Sequence, residues 1–258
     1  LLHRFWLSRL SPKPATLAAS PIAKLLVAAL TALGLLVFCL LVPAAAGSFR
    51  SPSAGWVPFP YPPGPSGLAR IPLEFLVQSL SEELLFRGIV LGGLGALFLL
   101  LASWVTVHPL PGEPPDSPRL GAARRRTWLL AGLAANAVQA TVFTAVHLAN
   151  PGVTPLATVN IGLAGFVLGW LYWSQGSLWG AWAWHFLWNF GLAAAGVPVS
   201  GVVASAPLLP LGITGARAGL ASGGAFGPEA SAICTAGLLA TLAGFLVAFR
   251  RRWTEERR

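Results

Sequence analysis

Glu82 and Glu83 stand side by side in the stretch SEELLFRGIV, with Arg87 following in the same run. On a helix, Glu83 and Arg87 fall one turn apart with the acid on the N-terminal side, the better orientation for an intrahelical ion pair. Glu82 is turned about 100° around the helix from Glu83 and has no local partner. A carboxylate so placed in an apolar segment tends to find a partner on another helix. Glu74 and Gln78 lie two turns and one turn before Glu82, so a polar stripe of the kind that lines a wet cavity runs down that face. Farther along, NAVQATVFTAVHLAN sets Asn136, Gln139, Phe143 and His147 on one helical face, and WAWHFLWNFG sets His185 and Asn189 one turn apart. One helix thus offers a carboxylate pair and two others an imidazole each. These residue types support acid–base catalysis, a proton relay or metal ligation.

The elements that position them have an unusual composition. Of 258 residues, 55% are hydrophobic and 10% charged, against about a quarter charged in a soluble domain. That leaves too little polar surface to cover a water-soluble globule, so the solvent is a lipid bilayer. Eleven Trp and 29 Gly fit this reading, since Trp favours membrane interfaces and Gly is common in membrane helices. The net charge of +9 does not indicate nucleic acid, because the basic residues cluster beside apolar runs: Arg4, Arg9 and Lys13; Arg119 and Arg124 to Arg126; Arg250 to Arg252, Arg257 and Arg258. Such clusters mark the cytoplasmic side of a membrane and suit an anionic leaflet. Cys39 and Cys234 lie in apolar runs with no metal or redox spacing and read as small lipid-compatible residues.

Apolar runs of roughly 20 residues place spans at Ile22–Val42, Thr127–Asn150, Pro155–Ser174, Ser177–Val197 and Ala230–Phe249, with one longer stretch at Ile71–Val107. The last is too long for one upright crossing and invites a break at Gly88 or at Gly92, Gly93 and Gly95. Ala44–Ala69 reads as a Pro/Gly/Ser-rich loop, and so does the segment from Val107 to Arg126. PAAAG after the first span is only weakly like a cleavage site, and that span is poorly flanked for a signal peptide. Placing the basic clusters in the cytoplasm requires an even number of crossings, with both termini inside. The expected fold is all-α: a polytopic integral membrane helical bundle of about six transmembrane helices around a central polar cavity. It divides into an N-terminal segment (1–70), a core (71–197) and a loop, last helix and basic tail (198–258). The chain has no internal repeat of the kind that marks inverted-repeat transporters.

Three motifs in order carry a resemblance: E-E-x-x-x-R-G (Glu82, Glu83, Arg87, Gly88), F-x-x-x-H (Phe143, His147) and H-x-x-x-N (His185, Asn189). The chain resembles the CPBP family of intramembrane proteases, which includes type II CaaX prenyl endopeptidases and bacterial Abi proteins, over about Pro72 to Gly191. The stretch from Gly165 to Asn189 also resembles the family's approach to its third motif. The resemblance implies peptide-bond hydrolysis within the membrane, with Glu82 as general base and His147 holding and polarising the water. It makes Glu83 and Arg87 a supporting pair, His185 and Asn189 oxyanion donors, and Phe143, with Gln78, a substrate-contact or packing residue. These roles suit the chemistry, because amide hydrolysis needs a base matched to the working pH and donors aimed at the oxyanion in a water-poor site. No Ser or Cys nucleophile stands beside a His, which argues against a covalent intermediate.

No cofactor is favoured. Zinc is the alternative, since two His and two Glu are a donor set it accepts, but there is no H-E-x-x-H and Arg87 competes for Glu83. The expected partners are a membrane protein or peptide substrate and the bilayer, with no nucleic acid, and the expected location is a bacterial inner membrane. Two other classes of function use the same residues: a proton- or ion-coupled transporter, and a catalytically silent scaffold or immunity protein. Prenylated tails, leader peptides and C-terminal sorting signals are all substrates the resemblance allows, the prenylated ones least in keeping with this composition. One geometric tension accompanies the reading: Glu82 and His185 fall near mid-depth, whereas His147 falls at the end of its span.

Overall fold

Three of the long helices start on the same two-residue device. Ser20, Ser117 and Thr154 each turn a side-chain oxygen back to a backbone N–H of the first turn, those of Ala23, Leu120 and Ala157, and each is followed by proline. The cap satisfies a donor that the helix leaves open, and the proline supplies a preset φ where no N–H is needed. The computed structural model describes residues 20–50, 65–114, 117–202, 212–213 and 218–255. The expected basic residues Arg4, Arg9, Lys13, Arg257 and Arg258 lie outside these, as do parts of the expected loops.

In chain order the elements are α1 (Pro21–Ala45), β1 (Phe49–Arg50), α2 (Pro65–Glu83), a π-helical segment (Leu84–Leu91), α3 (Gly92–Thr106), α4 (Pro118–His147), α5 (Pro155–Gln175) and α6 (Leu178–Ala194). After them come β2 (Gly212–Ile213), α7 (Ala218–Ser222), two 3₁₀ turns (Gly224–Phe226 and Pro228–Ala230) and α8 (Ala232–Glu255). β1 and β2 form a two-residue antiparallel ladder pairing Phe49 with Ile213 and Arg50 with Gly212. The rest of the described architecture is helical, as the composition requires of a chain that must satisfy its backbone within lipid.

Five helical stretches are long and apolar enough to cross a membrane: Pro21–Ala45, Arg70–Thr106, Pro118–His147, Pro155–Gln175 and Ala232–Arg251. The sixth expected span is α6, a 17-residue helix shorter than the expected Ser177–Val197. The expected break into two pieces at Gly88 or the following glycines takes the form of a change of helix type rather than an interruption. Helix runs through all of them, and the irregularity is the π-helical segment just after Glu83. Two expected loops are also shorter, because α2 begins at Pro65 and α4 at Pro118, carrying Arg119 and Arg124 to Arg126 on helix.

Helix association in a bilayer relies on close packing by small residues rather than on the hydrophobic effect. Trp173 of α5 shows how this chain does it. A Cβ on Gly95 of α3 would lie 2.3 Å from its ring, and one on Gly132 of α4 would lie 2.0 Å from its indole nitrogen. Gly95, one of the expected helix breakers, is therefore a packing site. A buried cluster including Ala32 and Leu35 of α1, Ala131 and Ala135 of α4, Val167 and Leu171 of α5 and Leu192 of α6 fills the interior. Ile22, Leu30, Leu41, Ile89, Trp104 and Val105 face outward, as a lipid-facing surface demands.

Candidate active site

Glu83 and Arg87 are both fully buried, with Arg87 Nη1 donating to Glu83 Oε1 at 2.7 Å. The expected intrahelical pair is thus present, and it is extended. Arg87 Nη2 donates to the carbonyl of Gly165 on α5 at 3.2 Å, and its guanidinium lies 4.5 Å over the Phe143 ring, a cation–π geometry. His185 Nδ1 meets the same Glu83 oxygen at 2.7 Å. With a carboxylate on Nδ1, the proton sits on that nitrogen and Nε2 is turned toward the cavity. Phe143 packs beneath this group, edge-on to Phe86 at 5.0 Å and against His147 at 4.4 Å.

Glu82 points the other way, as its offset around the helix predicts. Its Oε2 lies 3.9 Å from His147 Nε2 and 3.8 Å from His185 Nε2, and its side chain keeps 22% of its exposure. Both contacts exceed hydrogen-bond length, a separation at which a bridging water is the usual mediator. Glu82 Oε1 accepts from Gln78 Nε2 at 3.2 Å, so Gln78 orients the carboxylate. His147 Nδ1 is held by the carbonyl of Phe143 at 2.7 Å, which leaves Nε2 facing Glu82. His147 is the last residue of α4, and it reaches Glu82 from that helix end. Asn189 lies one turn beyond His185, 5% exposed, and lines the same cavity.

That cavity holds about 580 Å³ and is lined by Glu74, Gln78, Glu82, Phe143, His147, His185 and Asn189 among others. The stripe Glu74–Gln78–Glu82 therefore does line the cavity, whose wall is otherwise largely apolar, with Glu74 tied to Arg70 at 2.5 Å. The stripe on α4 divides. Phe143 and His147 reach the cavity, whereas Asn136 donates to the carbonyl of Phe166 at 2.9 Å and serves to hold α4 against α5.

The structure adds residues that the motifs did not single out. Glu229 lines the cavity from the turn before α8; its Oε1 accepts from Trp188 Nε1 at 3.0 Å and its Oε2 from the backbone N and hydroxyl of Ser200. Asn160 donates to the carbonyls of Glu229 and Ser231, and Asn150 to that of Ser200. The available signal was that Glu229 is the lone acidic residue between Asp116 and Glu255. Among the described residues, no group of three or more His, Cys, Asp or Glu could hold a metal ion.

The helical bundle thus gathers a buried Glu–Arg pair, a second glutamate and two imidazoles around one cavity. Residues 64–191, about half of the chain, match the family model described as type II CAAX prenyl endopeptidase Rce1-like. Through this segment the chain belongs to the CPBP family, and its class is that of a membrane-embedded protease acting on membrane proteins. No curated protein and no solved structure matches it.

Proposed function

We propose that this protein is an intramembrane endopeptidase in which Glu82 activates water against a peptide bond of a membrane-associated protein or peptide tail. The observation that carries the reading is the placement of Glu82 Oε2 at 3.9 and 3.8 Å from two imidazole nitrogens on the cavity wall, while Glu83 is engaged by Arg87 and His185. Division of labour between adjacent carboxylates by environment is how one site supplies both a base and a structural anion.

Glu82 takes a proton from water as the resulting hydroxide attacks the carbonyl carbon, and His147 Nε2 positions that water. The tetrahedral oxyanion is met by the Asn189 amide and by His185 Nε2, which donates when the ring is an imidazolium facing Glu83. Collapse breaks the C–N bond, and the proton held by Glu82 passes to the departing nitrogen. This route draws every step from side chains on the cavity wall and needs no metal.

The test is cleavage of a transmembrane-tail reporter library in liposomes by the native protein and by Glu82→Gln, with and without a strong chelator. Loss of cleavage in the variant and indifference to the chelator are expected. Activity retained in Glu82→Gln would overturn the role of Glu82, and activity lost reversibly to the chelator would overturn the metal-free route.

A further inference from the structure

The bundle has two distinct ends, and the cavity reaches one of them. At the first end, Lys24 Nζ donates to the carbonyl of Gln175 at 2.6 Å, Thr106 and Thr127 share a hydrogen bond, and Trp128 stacks on Trp173. Trp170 there meets Phe249. These contacts gather the start of α1, the end of α3, the first part of α4 and the ends of α5 and α8. Lys24, Arg119, Arg124 to Arg126, Arg250 and Arg251 all lie there, and the described chain both begins and ends there.

At the second end, Asn150 bonds to Ser200, Asn160 to the carbonyl of Glu229 and Gly201 N to the carbonyl of Phe226. The end of α4, the start of α5, the turn after α6 and the start of α8 meet here. The charged side chains described at this end are Arg70, already bound to Glu74, and Glu229. Glu74, Asn150, Val199, Ser200, Val202 and Glu229 line the cavity from it. Gly165, which anchors Arg87, lies about 15 Å along α5 from Pro155, by helix rise. Toward the basic end, by contrast, Val167, Leu171 and Ala181 are fully buried, and the Trp128–Trp173 stack lies beyond them.

We infer that the site faces away from the cytoplasm and acts on polypeptide presented at the extracytoplasmic side. Basic residues flanking spans in short connections are retained in the cytoplasm, which fixes the first end as cytoplasmic and the second as external. A tail approaching from the cytoplasm meets packed aliphatic side chains, whereas one approaching from outside meets the cavity that leads to Glu82. The substrate class is therefore a membrane-anchored polypeptide whose scissile bond lies toward the outer face. The substrate part of this inference rests on the protease reading above; the orientation part does not.

The experiment expresses the full chain in a bacterial inner membrane with single added cysteines and probes it with a membrane-impermeant maleimide. Cys39 and Cys234, both buried, are the background. Val202→Cys at the cavity edge and Leu220→Cys on α7, both highly exposed, are expected to label in right-side-out vesicles. Ala122→Cys, on the basic end of α4, is expected to label in inside-out vesicles. The reversed pattern overturns the inference. In the same membranes, a single-span reporter with its tail outside is expected to be cut and one with its tail inside spared, and cutting of the inside tail alone overturns the substrate assignment. If labelling is as expected and neither tail is cut, the protease reading and the substrate class drawn from it fail together while the orientation stands.

Discussion

Trp188 donates its indole N–H to Glu229 across 3.0 Å, joining the helix that carries His185 and Asn189 to the turn before the last helix. The same carboxylate accepts from Ser200, and the Trp188 ring is stacked on Trp184. Glu229 lies beyond the segment that matches the family. The family core is thus held at its open end by residues that the family pattern does not include.

Trp188→Phe keeps a ring against Trp184 and removes only the donor. Since small misplacements near a reacting centre cost up to about a hundredfold, this variant and Glu229→Gln are each expected to lower kcat by roughly tenfold or more, with KM nearly unchanged. The double variant is expected to be little worse than either, because the two act through one contact. Additive losses in cleavage kinetics would count against the coupling.

The Glu83–Arg87 pair calls for a different experiment. Removing one partner from a buried ion pair leaves an uncompensated charge and costs about 3–5 kcal/mol. Arg87→Leu is therefore expected to lower the melting temperature in detergent markedly, and adding Glu83→Gln is expected to recover much of that loss. Activity is expected to stay low in the double variant, because His185 loses the carboxylate that orients it. Thermal melts and reporter cleavage on the same preparations separate the two effects.

Packing around Trp173 gives a contrast between two glycines. Gly132→Ala forces a methyl into the indole and is expected to cost roughly 1–3 kcal/mol. Gly93, with nothing within 4 Å of its added Cβ, is expected to accept alanine with no loss and a gain of about 0.5–1 kcal/mol. Melting curves of the two variants give the comparison.

The connection between α3 and α4 has its own pH dependence. Hydrogen bonds from Arg119, from the Leu110 backbone and from Ser117 hold the Glu113 carboxyl down from its ordinary 4.5 to about 2. A depressed carboxylate stabilises this turn above the ordinary value, and the contribution is lost as pH falls toward about 2. Amide exchange at Leu110, whose N–H donates to Glu113, is expected to speed up between those two values beyond the intrinsic trend. Exchange that follows only the intrinsic trend would show that the ring of bonds does not act as described.

Much of the site was legible because helical spacing is a local property. Glu83 with Arg87, the offset of Glu82 and the stripe from Glu74 follow from 3.6 residues per turn, and the order of the three motifs carried the family. What stayed hidden depends on tertiary contact. Glu229 follows a poorly patterned segment, and nothing in its neighbours announces that it meets Trp188. Glycines in a long apolar run look alike whether they mark an irregular turn or admit a tryptophan, so Gly88 inside the π-helical segment and Gly95 against Trp173 could not be told apart. The start of α4 was hidden by its arginines, which read as loop although Ser117 and Pro118 carry a helix-start signal.

The π-helical turn between Leu84 and Leu91 gives the long helix two independent rotational settings. Residues before it are phased so that Glu74, Gln78 and Glu82 face the cavity, and residues after it so that Gly92 and Gly95 face Tyr172 and Trp173 on α5. A uniform α-helix has a single phase and would have to compromise one set to satisfy the other. The widened turn therefore decouples two demands on one rod, letting one half line the cavity while the other half packs against α5.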